Sequence, residues 1–485
     1  VNAAVRVRRL HTVVTWGALL MFASLTLRHV GEAPFLEDQV DQLQNFESLL
    51  RLQPEGLWGA IMSGTVPPAR ALGPFGAIVF GVPVSLGLGV DAIHVTTSLL
   101  IAAATAVCFV ALSRIDVVLA WLWLLMFSAT SVVWWNAALL WSNTLLLPVG
   151  LTFAALTASA LHRPNLGTLG WLIVVLLSAL ELHLVAVVAL PIVVIVAVVT
   201  WRDARPTSRR SLWAIVTATV LAVGPYLLGE TFTGFANTRA IVGYLSASGV
   251  AGRDAGSATT SLAIALDPTT LLTSLGMSAG TVMIVGAALL IAALLTARAG
   301  PLFWLSVCTA AGIAGQALFF QWMSRPFAGY HHVTMLVPFY AVAPAVLLRR
   351  GVFNATVSPR VACAIGGVVL ILLVWAGPLL ADRFADRGGW SFTQIRDSLD
   401  TLCGGTAVNT DEGQAFAAQL NPHYDSVLRY MMKRGMVNCR YQSSSDVVIA
   451  AALNGQYPAA KTIGQSTFYR ELVVAPGIAR YRKSP

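Results

Sequence analysis

The octapeptide Phe35-Leu36-Glu37-Asp38-Gln39-Val40-Asp41-Gln42 puts three carboxylates within five residues, just past an apolar run at 10–27. Acids are otherwise scarce: the chain has 22 Asp and Glu against 31 Lys and Arg. Such a cluster is either a solvated loop or the carrier of a carboxylate that does chemistry at a membrane surface. What flanks it decides between the two.

The 485 residues are 56% hydrophobic and 11% charged, with a mean hydropathy of +0.73. A soluble domain cannot hide that much apolar surface, so the fold class is mainly α, a polytopic helical membrane protein. Apolar runs of spanning length fall near 10–27, 92–112, 117–133, 137–161, 167–182, 184–200, 211–228, 271–297, 301–321, 332–348 and 361–381. A span needs about 20 residues, which makes about eleven transmembrane helices. The run 74–90 is broken by Gly73-Pro74 and Pro83 and reads as a re-entrant or interfacial helix, tolerated only where protein covers its backbone.

The net charge of +9 comes from arginine, since Lys433, Lys461 and Lys483 are the only lysines. A pI near 9.6 in a soluble protein suggests nucleic acid, but these arginines sit in short loops between apolar runs. With the N-terminus inside, one side carries Arg6, Arg8, Arg9, Arg114, Arg163, Arg202, Arg205, Arg209, Arg210, Arg298, Arg349, Arg350 and Arg360 against Asp116 and Asp203. The first outer loop, 29–91, reverses the balance with Glu32, Glu37, Asp38, Asp41, Glu47 and Glu55. The positive-inside rule therefore puts the acidic stretch outside. Counting 74–90 as a full span would scatter the basic loops over both sides.

The first span follows a basic segment, as a signal peptide would, but no small-x-small cleavage site follows it, and it reads as a retained anchor. From about 382 the composition turns polar, with helix-like stretches at 391–402 and 424–434 and strand-like ones at 446–452 and 468–474. The expected division is a transmembrane domain over 1–381 and a small extracytoplasmic α/β domain over 382–485, just large enough for its own core. Cys403 and Cys439 fall in that domain, where an oxidising compartment permits a disulfide.

Ionisable residues at the outer ends of spans are functional candidates, because membranes make them costly. They are Glu181 and His183 at the turn within 167–200, Glu230 after Pro225-Tyr226, Arg239, and Arg325, Tyr330, His331 and His332 between two later spans. Asn143 lies in a further outer turn, beside Trp141. Plainer roles compete with these. Trp134, Trp135, Trp141 and Trp322 suit an interfacial aromatic belt, Arg239 and Arg325 can snorkel to headgroups, and Asp41, Glu47 and Glu55 suit a solvated face. No nucleotide-binding Gly-rich loop, HExxH, zinc spacing or nucleophile elbow is present, which excludes the common soluble nucleotide-dependent enzymes.

An acidic pair directly after the first span resembles the C-type (GT-C) integral-membrane glycosyltransferases, the group of the protein O-mannosyltransferases and aminoarabinose transferases. Asp38-Gln39 with Leu43, Phe46, Leu49 and Leu50 is similar to the Asp-Gln-Ala-type helix of bacterial members, with Val40 where a small residue is usual. Leu72-Gly73-Pro74 before an apolar half-helix, Leu140-Trp141-Ser142-Asn143, Leu180-Glu181-Leu182-His183-Leu184, Gly234-Phe235-Ala236-Asn237-Thr238 and Tyr330-His331-His332 with Pro338 occur in the same order as in that family. Arg70 falls in a segment more often neutral. The resemblance covers about 1–350; the 382–485 segment matches nothing comparable.

The resemblance implies an inverting transfer from a polyprenyl-phosphate sugar to a lipid, glycan or protein acceptor at the outer face of a bacterial cytoplasmic membrane. Asp38 would be the general base, with Glu37 beside it. The leaving phosphate needs cations, and with no lysine before 433 that role falls to Arg325, His332, His331, His183 and Arg239. No cofactor is demanded; a divalent metal on Glu37, Asp38 and His183 is conceivable. The rival class is a lipid or polysaccharide transporter or flippase, against which stand the lack of an internal repeat and the gathering of polar groups at one edge.

Overall fold

A computed structural model of the chain describes residues 2–59, 61–62, 69–201, 203–248, 278–297, 300–323, 333–353, 357–384, 390–410, 423–442, 445–451, 459–463, 466–474 and 478–483. It is a helical bundle joined to a small mixed sheet. The first third comprises α1 (Asn2–Thr26), α2 (Glu37–Leu50), the hairpin β1 (Ile61–Met62) and β2 (Ala69–Arg70), α3 (Phe75–Ser85), α4 (Asp91–Ile115), α5 (Val117–Ser128) and α6 (Ser131–Ala138). Then come α7 (Leu146–His162), α8 (Leu166–Leu182), α9 (Leu190–Thr200), α10 (Arg209–Phe232) and α11 (Ala236–Ser248). The bundle ends with α12 (Ala279–Ala297), α13 (Pro301–Met323), α14 (Val337–Tyr340), α15 (Val342–Gly351), α16 (Pro359–Trp375) and α17 (Gly377–Phe384).

Where they are described, the expected apolar runs lie on helices. Among the described residues five helices are long and apolar enough to cross a membrane, seven if each of two bent pairs is one span, and three shorter apolar segments accompany them. This is a multi-pass membrane architecture. α7 sits at the centre, packed by α4, α8, α9 and α13, whereas α10 shows Leu212, Trp213, Val220, Leu221, Leu227 and Leu228 to the surroundings, as a lipid-facing helix does.

The helices begin where short polar side chains cap them. Asp116 accepts from Val118 N and Leu119 N at 2.9 and 3.0 Å, Asn165 caps α8, Ser208 caps α10 and Ser358 caps α16. Asp116 also receives Arg349 Nε at 2.6 Å, which ties α15 to the α4–α5 turn. Arg205 N donates to Pro164 O at 3.2 Å, joining two of the basic loops.

Some spans are less regular than hydropathy suggests. The run 117–133 is two helices, α5 and α6, bent by 63°, and 361–381 is α16 and α17, bent by 47°. At the first break Thr130 is extended, and the indole of Trp134 donates to Ser128 O at 2.7 Å, satisfying a carbonyl the bend would strand. Trp134 is therefore not part of an aromatic belt, as its sequence position suggested; it is buried in the core. The run 74–90 contributes only the eleven-residue α3, with Pro83 inside it, in line with a half-helix.

The C-terminal unit contains α18 (Phe392–Cys403), β3 (Ala407–Thr410), α19 (His423–Lys433), β4 (Arg440–Tyr441), β5 (Val447–Ala451), β6 (Ala460–Ile463), β7 (Ser466–Val474) and β8 (Ile478–Lys483). The sheet order is β4-β3-β5-β8-β7-β6, parallel across β4-β3-β5 and antiparallel beyond. α18 opens on a reciprocal capping box between Ser391 and Gln394 and closes on Gly404 in the left-handed region. Cys403 and Cys439 form a disulfide across 36 residues. Opening that loop is expected to cost roughly 3–4 kcal/mol of the unit's stability. Cys403→Ser with Cys439→Ser should thus lower the unfolding midpoint, read by limited proteolysis of the unit, while wild-type resistance would show that the bridge adds nothing.

Candidate functional site

The polar residues singled out in the sequence gather around α2. The helix is amphipathic: Val40, Leu43 and Phe46 are buried together with Gln39, Gln42 and Asn45, while Glu37 and Asp38 are exposed in its first turn. Gln39 Oε1 accepts from Leu36 N at 2.6 Å, which caps the helix start without a side chain at the cap position itself. Carboxylates in the first turn also suit the positive end of the helix dipole.

Three supports hold α2 in place. Beneath it lies α3, running parallel: Gly76 faces Gln42, and a Cβ at Gly81 would overlap the Phe46 ring, so the close approach needs the glycine at 81. At its C-terminal end the turn Pro54–Leu57 packs so tightly that a Cβ at Gly56 would overlap the Leu49 backbone. On its flank the C-terminal unit docks: Tyr430 Oη donates to Glu47 Oε1 at 3.2 Å, and Arg434 pairs with Glu47. Burial pushes the Tyr430 hydroxyl up to about 12, so it remains a donor at neutral pH. The preceding loop is held too, by Phe35 N donating to Trp390 O at 2.9 Å and by the edge-to-face Phe35–Phe392 pair at 5.5 Å.

Glu181 and His183 shape the α8 break. Leu182 ends α8 and His183 is extended; its Nδ1 accepts from Val185 N at 3.1 Å, capping the next segment, Leu184–Ala189. That places the neutral ring's proton on Nε2. Glu181 is buried, and its Oε2 accepts from Phe75 N at 3.2 Å, the start of α3. A Cβ at Gly73 would overlap the Glu181 carboxyl, and Gly59 lies against Gly73 O and Glu181 O. Glu181 thus joins the broken span to the half-helix.

Glu230 performs a similar joint elsewhere. It is fully buried at the end of α10; its Oε2 accepts from Thr238 N at 3.0 Å, and Tyr226 Oη bonds Thr238 Oγ1 at 2.7 Å. The intervening turn carries both Gly234 and Phe235 at φ 62°, a strained conformation for Phe235. Arg239 is exposed, and its Nη1 donates to Gly234 O at 2.6 Å, closing the same turn.

This turn presents Asn237, a residue that the sequence reading quoted but gave no role. Asn237 Oδ1 accepts from Arg70 N at 2.7 Å and its Nδ2 donates to Arg70 O at 3.1 Å, so it pairs with the hairpin as a strand would. Arg70 in turn reaches α2, donating from Nη1 to Asn45 Oδ1 at 2.8 Å. Asp38, Gln42 and Asn45 recur at spacings of four and three, so Arg70 engages the stripe that begins at Asp38, roughly 10 Å along the axis. Three buried polar atoms border this network without a partner among the described residues: Gln42 Oε1, Trp58 Nε1 and Glu230 Oε1. A bound polar group would find hydrogen-bonding capacity there.

Asn143 is buried in the short turn Ser142–Leu145, which packs against α2, α3 and α8. Arg325, Tyr330, His331 and His332 lie outside the described residues. Among the described residues no group of three or more His, Cys, Asp or Glu is placed to hold a metal ion, so Glu37, Asp38 and His183 do not form one. The joint role of Glu181 has a direct test. Glu181→Gln keeps an acceptor for Phe75 N and should unfold near the wild-type midpoint, whereas Glu181→Ala should lose roughly 1–3 kcal/mol; equal midpoints in denaturant titration would count against it.

No protein-family model matches the chain, and comparison with curated proteins finds no match. Among solved structures, the crystal structure of ArnT from Cupriavidus metallidurans bound to undecaprenyl phosphate aligns with a TM-score of 0.55 at 13% identity, over 93% of each chain. The same protein in its apo state aligns with a TM-score of 0.52 at 13% identity, again over 93% of each. A cryo-EM structure of the arabinofuranosyltransferase AftD from Mycobacteria gives 0.45 at 15% identity, over 99% of this chain and 40% of that one, too loose to carry a conclusion. At such identity the ArnT likeness establishes a shared fold across nearly the whole chain, and the fold alone.

Proposed function

We propose that this protein is an inverting membrane glycosyltransferase that moves a sugar from a polyprenyl-phosphate donor to an acceptor hydroxyl. The observation that carries the reading is the placement of α2: a helix clamped on three sides, with Asp38 exposed at its start and Arg70 on the same stripe. The shared fold with a protein whose structure holds undecaprenyl phosphate supports the donor class. The positive-inside distribution of arginine supports an extracytoplasmic position for α2 and the C-terminal unit, at a cytoplasmic membrane.

In this mechanism the Asp38 carboxylate takes the acceptor hydroxyl proton as that oxygen bonds to the anomeric carbon. The bond from the anomeric carbon to the phosphate oxygen breaks on the opposite face, and polyprenyl phosphate leaves with the electron pair. Its growing charge needs positioned cations. Arg70 supplies a planar donor fork within the network, His183 a ring N–H on Nε2, and Arg239 a cation at the neighbouring turn; Arg325, His331 and His332 are assigned the same task from the sequence alone.

Asp38→Asn should reduce transfer about 10²–10⁴-fold with donor binding retained. Purified, folded Asp38→Asn protein working at the wild-type rate rejects the assignment, and translocation of labelled lipid without transfer favours a flippase. Arg70→Ala should weaken binding of a polyprenyl-phosphate sugar about ten- to hundred-fold, the worth of a charged hydrogen bond, with Arg70→Lys intermediate. A loss confined to acceptor affinity would remove Arg70 from the donor side.

A further inference from the structure

Where the C-terminal unit meets α2, the two helices enclose a groove of about 650 Å³. Both walls are single helical faces. Glu47 and the C-cap residue Arg51 lie four apart along α2, and Arg429, Tyr430 and Lys433 occupy one side of α19, with Arg434 just past its end. Among the described residues that line the groove, Arg51, Lys433 and Arg434 thus face one carboxylate, and that carboxylate is already engaged by Tyr430 and Arg434. Lys433 Nζ is 4.7 Å from the centre of the Tyr441 ring, an arrangement that leaves its charge uncancelled.

The groove's surroundings say which anion it suits. Arg51 stands between Leu50 and Leu52, which are 65% and 84% exposed. Since α2 and α3 run parallel, the C-terminal end of α3 lies at the same end, and Leu86 and Leu88 there are 69% and 65% exposed. Four projecting leucines beside a cationic groove, on a chain that spans a membrane, match the boundary between acyl chains and headgroups. Nor does the groove coincide with the reaction centre: Glu47 is nine residues from Asp38, roughly 14 Å along the helix.

We propose that this groove binds the phosphodiester headgroup of an anionic phospholipid, seating the C-terminal unit on the bilayer beside α2. The arginines offer forked donors to the phosphate oxygens, Lys433 adds a point charge, and the leucines enter the acyl region. The site is independent of the transferase reading, so either can fail alone.

The test uses the full chain, delipidated in detergent and titrated with phosphatidylglycerol, phosphatidylcholine or the acyl-free diester glycerophosphoglycerol, with bound ligand counted by native mass spectrometry. Phosphatidylglycerol should bind more tightly than either of the others. Arg51→Gln and Lys433→Gln, both at exposed positions, should each weaken it about five-fold and together about 25-fold, from the roughly 1 kcal/mol that each cation contributes at an anionic surface. Arg396→Gln, which removes an exposed arginine from α18, should change nothing. Equal retention of phosphatidylcholine, equal binding of the acyl-free diester, or an unaffected double variant overturns the proposal. A photo-crosslinkable phosphatidylglycerol supplies a readout on unmutated protein: labelling should fall within 44–53, 86–88 and 426–434, and labelling confined to other segments overturns it as well.

Discussion

The backbone between α1 and α4 contains loops, a two-residue hairpin and a half-helix, all beside a bundle that crosses a lipid bilayer. In hydrocarbon each unpaired N–H or carbonyl costs several kcal/mol, so this segment is viable only where protein satisfies it. Glu181 meets the need at the start of the half-helix. Its carboxylate receives Phe75 N at the start of α3, and Gly73 and Gly59 leave space for it. The break in α8 that brings Glu181 to this position is itself capped by His183. One interrupted span therefore supports another interrupted element, and α2 rests on the result.

From that foundation follows the geometry that chemistry would use. The glycine at 81 lets α3 lie against α2, Arg70 crosses from the hairpin to Asn45, and Asn237 fastens the hairpin from α11. The C-terminal unit holds the far flank through Tyr430 and Arg434 on Glu47. A carboxylate presented on a mobile loop loses the advantage of fixed orientation, whereas Asp38 sits in the first turn of a helix restrained along its length.

Much of this was legible in the sequence, for identifiable reasons. Apolar runs report spans because each residue contributes to hydropathy independently of its neighbours, and the helices follow them. Cys403 and Cys439 stood out as a pair within a polar segment, and they are bonded. The bends near 129 and 376 were not legible, because apolar composition continues through them. Trp134 reads as a belt residue by its place at the end of a run, yet the bend at Thr130 turns it inward onto Ser128 O. Glu181 stood out for the cost of burying its charge, and its observed bond is to a helix N-terminus. Arg70 was visible only as a departure from a pattern, and nothing in the sequence singled out Asn45.

By itself, then, the sequence determined the membrane class, the approximate spans, the likeness to C-type glycosyltransferases and the acidic helix that follows the first span. The class and the spans are sums over neighbouring residues, and the likeness rests on short motifs and their order, so position along the chain is all they need. Only the tertiary structure decided that Arg70 meets Asn45, 25 residues away, and Asn237, 167 residues away, and that Glu181 caps a helix 106 residues before it. Those pairings depend on which glycine faces allow two backbones to approach and on which buried polar atoms must be satisfied once they do. Neither condition exists until the chain has packed.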